Sequence, residues 1–145
     1  MRIGFGYDSH RLAAGRRLVL GGVEIPHDQG LLGHSDADVL LHAVCDAILG
    51  AIGEKDIGRQ FPDTDPAYRD ISSLTLLERV RELADARGAR ICNLDSTVVL
   101  EKPKLAAHLP AMGSGCLPAG AVLPGDRTAA QPGGPGLLRL VVLPP

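Results

Sequence analysis

The stretch Ser35-Asp36-Ala37-Asp38-Val39-Leu40-Leu41-His42-Ala43-Val44-Cys45-Asp46-Ala47-Ile48-Leu49-Gly50-Ala51-Ile52-Gly53 decides the fold. Ser35 and Asp38 have the spacing of a capping box, with Ser35 as N-cap and Asp38 at the third helical position. The spacing predicts a helix from Asp36 to about Ile52, stopped by Gly53. Leu40, Ala43, Val44, Ala47, Ile48 and Ala51 recur at the helical period and form its apolar stripe. His42 falls on the opposite face, with Asp38, Cys45 and Asp46.

Working outward, Arg2 to Tyr7 reads as a strand. Leu18-Val19-Leu20 and Val23-Glu24-Ile25 read as strands joined by a turn or bulge at Gly21-Gly22. Gly30 to Gly33 reads as loop, and so does Lys55 to Asp70, marked by Pro62 and Pro66. A second amphipathic helix runs from about Ser73 to Arg87, with Leu76, Leu77, Val80, Leu83 and Ala84 on one face. Gly88 stands where a C-terminal glycine belongs. Arg90 to Glu101 reads as a long strand, and Pro103 as the first turn of a short third helix. The expected class is α/β (α+β), a single domain with a mixed sheet covered by helices on one face.

The whole chain has 145 residues and a formal net charge of −2, with 3% aromatic residues and no Trp. That balance argues against a nucleic-acid binder, which needs a basic surface or a stacking platform. No apolar run is long enough to predict a membrane span. The N-terminus lacks the apolar core of a signal peptide. Three cysteines, Cys45, Cys92 and Cys116, without a CxxC spacing, point to a reducing compartment. Cys45 and Cys92 are expected to pack as small hydrophobes.

The composition changes after Met112. The last 33 residues carry only three charges, Asp126, Arg127 and Arg139, and no aromatic residue. They read as mostly loop, with Leu137 to Leu143 as one candidate strand. The chain is thus divided into 1–112 and a Gly/Pro/Ala-rich segment 113–145, in which Gly113-Ser114-Gly115 is expected to break any helix.

Four groups of residues carry candidate chemistry. Asp8-Ser9-His10 ends the first strand, where alternation points Asp8 and His10 the same way. With His42 they would make three ligands and leave a fourth tetrahedral position open, the catalytic zinc pattern. Asp46 or Asp38 would orient an imidazole. The same residues also fit a strand-end turn and a hydrogen-bonded helix histidine. His34-Ser35, read at a helix N-terminus, suits a phosphate, although Ser35 also suits ordinary capping. Asp56-Ile57-Gly58 and Phe61-Pro62-Asp63-Thr64-Asp65-Pro66 suit polyol hydroxyls or a divalent ion. Their side chains equally suit turns that bond their own backbone. Glu101-Lys102-Pro103-Lys104 suits a phosphate and a base edge, or a solvated turn.

Together and in this order, these segments resemble the 2-C-methyl-D-erythritol 2,4-cyclodiphosphate synthases of the non-mevalonate isoprenoid pathway. Arg2 to His10, Leu20 to Pro26, Gly30 to Val39, Asp56 to Gly58, Phe61 to Pro66 and Leu100 to Met112 carry the resemblance. It implies zinc, one per subunit, on Asp8, His10 and His42, and His34 as transition-state stabiliser. The implied substrate-binding set is Asp8, Ser9, His10, His34, Ser35, Asp56, Ile57, Gly58, Phe61, Pro62, Asp63, Thr64, Asp65, Leu100, Glu101, Lys102, Pro103, Lys104, Leu105 and Ala106. Within it, Asp56, Gly58, Asp63 and Asp65 would line the methylerythritol pocket, and Leu100 to Ala106 would hold cytidine. The implied reaction is cyclisation of 4-diphosphocytidyl-2-C-methyl-D-erythritol 2-phosphate with release of CMP, in a cytoplasmic homotrimer with sites between subunits.

Beyond Met112 the chain departs from that family's pattern. The family's Thr-Thr-x-Glu segment and its glycine-rich turn with a basic residue have no counterpart. The second divalent cation, Mg2+ or Mn2+, therefore lacks its Glu ligand. The abrupt change reads as a shifted frame in a GC-rich gene, and turnover is expected to suffer. A non-catalytic zinc or cytidine-nucleotide binder and a zinc phosphoesterase are the alternative readings.

Overall fold

A computed structural model describes residues 2–116. The helix expected from the opening stretch is present as α1, Val39–Ile52. It begins three residues later than the capping box suggests. Ala37 is buried in the left-handed region at φ 58°, which no right-handed helix can include. Asp38 is therefore the N-cap, and its side chain accepts from Leu41 N–H at 3.1 Å. Ser35 lies outside the helix and accepts from Ala37 N–H.

All six residues of the expected stripe are buried, but so are Leu41, Cys45, Leu49 and Ile52. Only Val39, His42, Asp46 and Gly50 escape full burial, a line at helical spacing. The helix is central rather than amphipathic, and Asp38 and Cys45 belong to the core.

Two antiparallel strand pairs flank it among the described residues. β1 (Leu12–Ala14) pairs with β4 (Gln29–Leu31), and β2 (Leu18–Leu20) pairs with β3 (Val23–Ile25). Leu18 and Leu20 point inward while Val19 does not, the alternation of a half-buried strand. β2, its glycine turn and β3 match the sequence reading. β1 and β4 were not anticipated, because three-residue strands leave almost no periodic signal. The domain is α+β, with its strands in these two pairs.

Asp38 fastens the β2–β3 turn to α1. Its Oδ1 accepts from Gly21 N–H at 3.0 Å, and its Oδ2 accepts from Gly22 N–H at 2.7 Å. The carboxyl is fully buried. Burial pushes it up from 3.8 to about 6, against the pull of the Gly22, Leu41 and Gly21 N–H groups.

Two expected strands do not form ladders. Arg2 to Tyr7 keeps a strand's alternation without a backbone partner among the described residues. Gly4 and Gly6 are buried, whereas Ile3, Phe5 and Tyr7 are 65%, 60% and 45% exposed. A Cβ on Gly4 would stand 1.7 Å from the Ala47 carbonyl oxygen, and one on Gly6 1.8 Å from that of Ala43. The ribbon thus lies directly on the α1 backbone, where only glycine fits. Arg90 to Glu101 is likewise without ladder pairing, because β-branched residues favour a strand only where a neighbour offers its hydrogen bonds. Cys92 is only half-buried there.

The stretch 55–70 is not all loop. α2 (Ile57–Gln60) is capped by Asp56, and a 3-10 turn (Pro66–Tyr68) is capped by Asp65. α3 (Ser73–Ala86) matches expectation, with Ser72 as N-cap, and packs along α1. Pro103 does not open a helix. α4 is Leu109–Cys116, and it runs through Gly113-Ser114-Gly115. The poor propensity of that triplet is overridden by burial of Met112 and Cys116 against the core. The candidate strand Leu137 to Leu143 and the expected tail loop lie outside the described residues.

Asp38→Ala strands three interior N–H groups, so it is expected to lower unfolding free energy at neutral pH by roughly 2–4 kcal/mol. Because the folded carboxyl binds its proton more tightly than the unfolded one, a further, proton-linked share of its contribution is complete below about pH 4 and lost as pH rises through about 6. Urea midpoints across pH should therefore show a larger Asp38→Ala penalty at pH 4 than at pH 7. A penalty that grows with pH would contradict this.

Candidate metal centre

The end of the N-terminal ribbon meets α1 at His42. Asp8, His10 and His42 offer one ligand atom each, all within 4.8 Å of one another. His42 Nδ1 is 3.0 Å from Asp8 Oδ2 and His10 Nδ1 is 3.2 Å from the same oxygen. The His10 contact has the distance of an ion pair, but its angle leaves buried Nδ1 without a hydrogen bond. The two rings are tilted at 58°, with centroids 5.4 Å apart. Asp8 Oδ1 accepts from Ser9 N–H at 2.7 Å.

Electrostatics agree with the geometry. Burial would raise the Asp8 carboxyl, but the contacts and charges of His10 and His42 outweigh it and hold the group well below the usual carboxylate range. The Asp8 contact raises the His10 imidazole above its ordinary value, with burial opposing. Two imidazole nitrogens aimed at one carboxylate oxygen, one of them unsatisfied, are the donor set of a cation site.

The surroundings of His42 differ from expectation. Neither Asp38 nor Asp46 orients its ring. Asp38 is spent on β2–β3, and Asp46 accepts from Ile57 N–H at 2.7 Å, anchoring α2. Burial raises the Asp46 carboxyl, with the Ile57 N–H opposing and Asp56 adding to the rise. The partners of His42 Nε2 are Ser35 Oγ and Ser73 Oγ, each at 3.0 Å. Ser73 comes from α3, 31 residues away, so no local pattern could reveal it.

The His34-Ser35 loop is not a helix N-terminus, since α1 starts at Val39 and Asp38 occupies its Leu41 N–H. The loop is held instead by Arg16, whose guanidinium donates to the Leu31, Gly33 and Ser35 carbonyls at 3.3, 3.3 and 3.0 Å. It is laced to residues 70–71 by Asp70 N–H to His34 O and Asp36 N–H to Ile71 O. A Cβ on Gly33 would come within 3.1 Å of His10 Nε2, so the loop lies close against the His10 ring. Among the described residues His34 Nε2 is buried without a partner.

Asp56 and Asp65 each accept a backbone N–H, from Arg59 and Ala67, as in ordinary turns. Asp63, Thr64 and Gly58 are exposed, while Ile57, Phe61 and Pro62 are partly buried. In the segment 100–106, Glu101, Lys102, Lys104 and Ala106 are exposed, Leu100 and Pro103 are partly buried, and Leu105 is a core residue. None of these side chains belongs to the Asp8 cluster.

Comparison with known proteins draws these features together. A curated relative from Geotalea daltonii, a 2-C-methyl-D-erythritol 2,4-cyclodiphosphate synthase, is 66% identical over 113 residues, 78% of this chain and 66% of that protein. One of the same name from Pelobacter propionicus is 63% identical over 112 residues, 77% of this chain and 71% of its own length. The chain thus spans about two thirds of the length of these relatives. A solved structure of such a synthase in a CDP-bound form is 39% identical, with a TM-score of 0.82 over 98% of this chain and 99% of that one. The profile of the YgbB family matches residues 1–117, which include the ribbon, α1, α3 and the whole Asp8-His10-His42 cluster. The chain belongs to the YgbB family.

Proposed function

We propose that this chain is a zinc-dependent 2-C-methyl-D-erythritol 2,4-cyclodiphosphate synthase acting on 4-diphosphocytidyl-2-C-methyl-D-erythritol 2-phosphate and releasing CMP. The observation that carries this reading is the convergence of Asp8, His10 and His42 in a chain so similar to synthases of that name. Those three residues would hold the zinc, and zinc supplies positive charge to phosphate oxygens.

The rest falls to the chain's own groups. The reaction joins two phosphates of one substrate, so its barrier lies in charge repulsion and in folding the substrate back on itself. His34, with a buried and unpartnered Nε2, supplies a donor for charge that builds on the phosphoryl oxygens. Ser35 Oγ holds the His42 ring at Nε2, and Ser9 stands exposed between Asp8 and His10. Asp56, Ile57, Gly58, Phe61, Pro62, Asp63, Thr64 and Asp65 form the methylerythritol pocket. Among the described residues Asp65 retains a carboxylate oxygen with no backbone partner, available for a hydroxyl group, while the second oxygen of Asp56 faces the Arg59 guanidinium at 3.5 Å. Leu100 to Ala106 holds cytidine through exposed Lys102 and Lys104 and the backbone, since the Leu105 side chain is committed to the core.

Ile3, Phe5 and Tyr7 form an exposed apolar row beside the ligand-bearing end of the ribbon. This row favours association of copies, and we assign it to the homotrimer contact. The catalytic unit is residues 1–112, with α4 reaching Cys116. A cytoplasmic setting suits its three free cysteines.

Metal analysis of purified protein should find about one zinc per chain, falling to near none in His42→Ala. A zinc-free wild type, even after supply, would overturn the zinc assignment. Incubation with the diphosphocytidyl substrate should yield CMP and cyclodiphosphate, about a hundredfold or more slower than an intact relative, because the Thr-Thr-x-Glu segment is lacking. Release of inorganic phosphate, or CDP binding without product, would replace the cyclase reading. Phe5→Asp should shift sedimentation from trimer to monomer, and an unchanged species would remove the ribbon from the interface.

A further inference from the structure

We propose that Ser73 is a positioning residue that fixes which ring nitrogen of His42 faces the metal, acting as the middle member of a relay from Asp36 to His42. The inference rests on the reading of Asp8, His10 and His42 as a zinc site.

Ser73 is the first residue of α3 and is fully buried. Its backbone N–H donates to Asp36 Oδ2 at 3.0 Å, and its hydroxyl donates to Asp36 Oδ1. A serine hydroxyl has one hydrogen. With that hydrogen committed to the carboxylate, Ser73 Oγ meets His42 Nε2, at 3.0 Å, only as an acceptor. Ser73 therefore favours the ring proton on Nε2, whereas the Asp8 carboxylate, 3.0 Å from Nδ1 and able only to accept, competes for that proton until a cation stands between them. Ser35 Oγ, also 3.0 Å from Nε2, accepts from Ala37 N–H and keeps its own hydrogen, so Ser73 alone is held to the acceptor role.

Asp36 is itself held in place. Its backbone N–H donates to Ile71 O, and its Oδ1 accepts from Asp38 N–H at 3.2 Å. The relay thus joins the loop before α1 to the start of α3, and both ends of His42 are defined. Hydrogen bonds behind a metal-bound imidazole commonly change metal affinity by about 10–100-fold. Neither Asp36 nor Ser73 touches the ligand cluster except through His42, so their effect is on orientation and not on the chemistry itself.

Two measurements on the full chain test this. In metal-free protein, at a pH above the imidazole range, the ring nitrogen shifts of His42 should report a substantial share of protonated Nε2 in wild type and a smaller share in Ser73→Ala. Zinc titration against a chromophoric chelator should show about 10–100-fold weaker binding in Ser73→Ala, and recovery to within about threefold in the hydroxyl-bearing Ser73→Thr. Wild type protonated on Nδ1 alone would overturn the proposal, as would a folded Ser73→Ala that binds zinc as tightly as wild type. The wild-type shifts decide the matter even where a variant does not fold. Wild type that takes no zinc yet shows protonated Nε2 would remove the zinc reading and leave the relay standing.

Discussion

The carboxylate of Asp38 lies at the point where the fold is tied together. It accepts from the first turn of α1 and from both glycines of the β2–β3 turn, with no solvent to share the task. Burying a charge is costly unless such donors are supplied, and here three are. The result fixes the start of the central helix, and from that start His42 follows one turn later. The N-terminal ribbon on one side and α3 on the other are then placed against a helix whose position is already set.

The helices were legible in the sequence because their signals are local. Leu40 to Ala51 on α1 and Leu76 to Ala84 on α3 repeat at helical spacing, and burial follows that spacing. The start of α1 was read wrongly for an instructive reason. Ser35 and Asp38 have the spacing of a capping box, but a capping box also requires right-handed backbone between them. Ala37 departs from it, and that departure is compelled by the loop's lacing to residues 70–71. The strands were less legible. Arg2 to Tyr7 and Arg90 to Glu101 have suitable residues, but a ladder is a property of two segments and neither has its partner among the described residues.

At the candidate metal centre the grouping of Asp8, His10 and His42 was readable and its supports were not. Asp8 and His10 follow from strand alternation, and His42 follows from its place off the apolar stripe. The choice of Asp38 or Asp46 as the orienting group assumed that a neighbour on the helix would serve. Ser73 serves instead, from the first residue of another helix, and Asp36 holds Ser73. Such a relay is assembled by tertiary contact, so it leaves no spacing to detect. Arg16 is similar, since its value lies in three carbonyls brought within reach by the folding of residues 31–35.

The glycines of the ribbon have one more implication. With Gly4 and Gly6 against the helix, the opening segment adds no side-chain bulk to the interior and turns Ile3, Phe5 and Tyr7 outward. Under the proposed assembly a solitary protomer is the adhesive form of this molecule, and association with other copies covers this row. Dilution, rather than crowding, is the circumstance in which material should be lost to vessel walls and foreign surfaces.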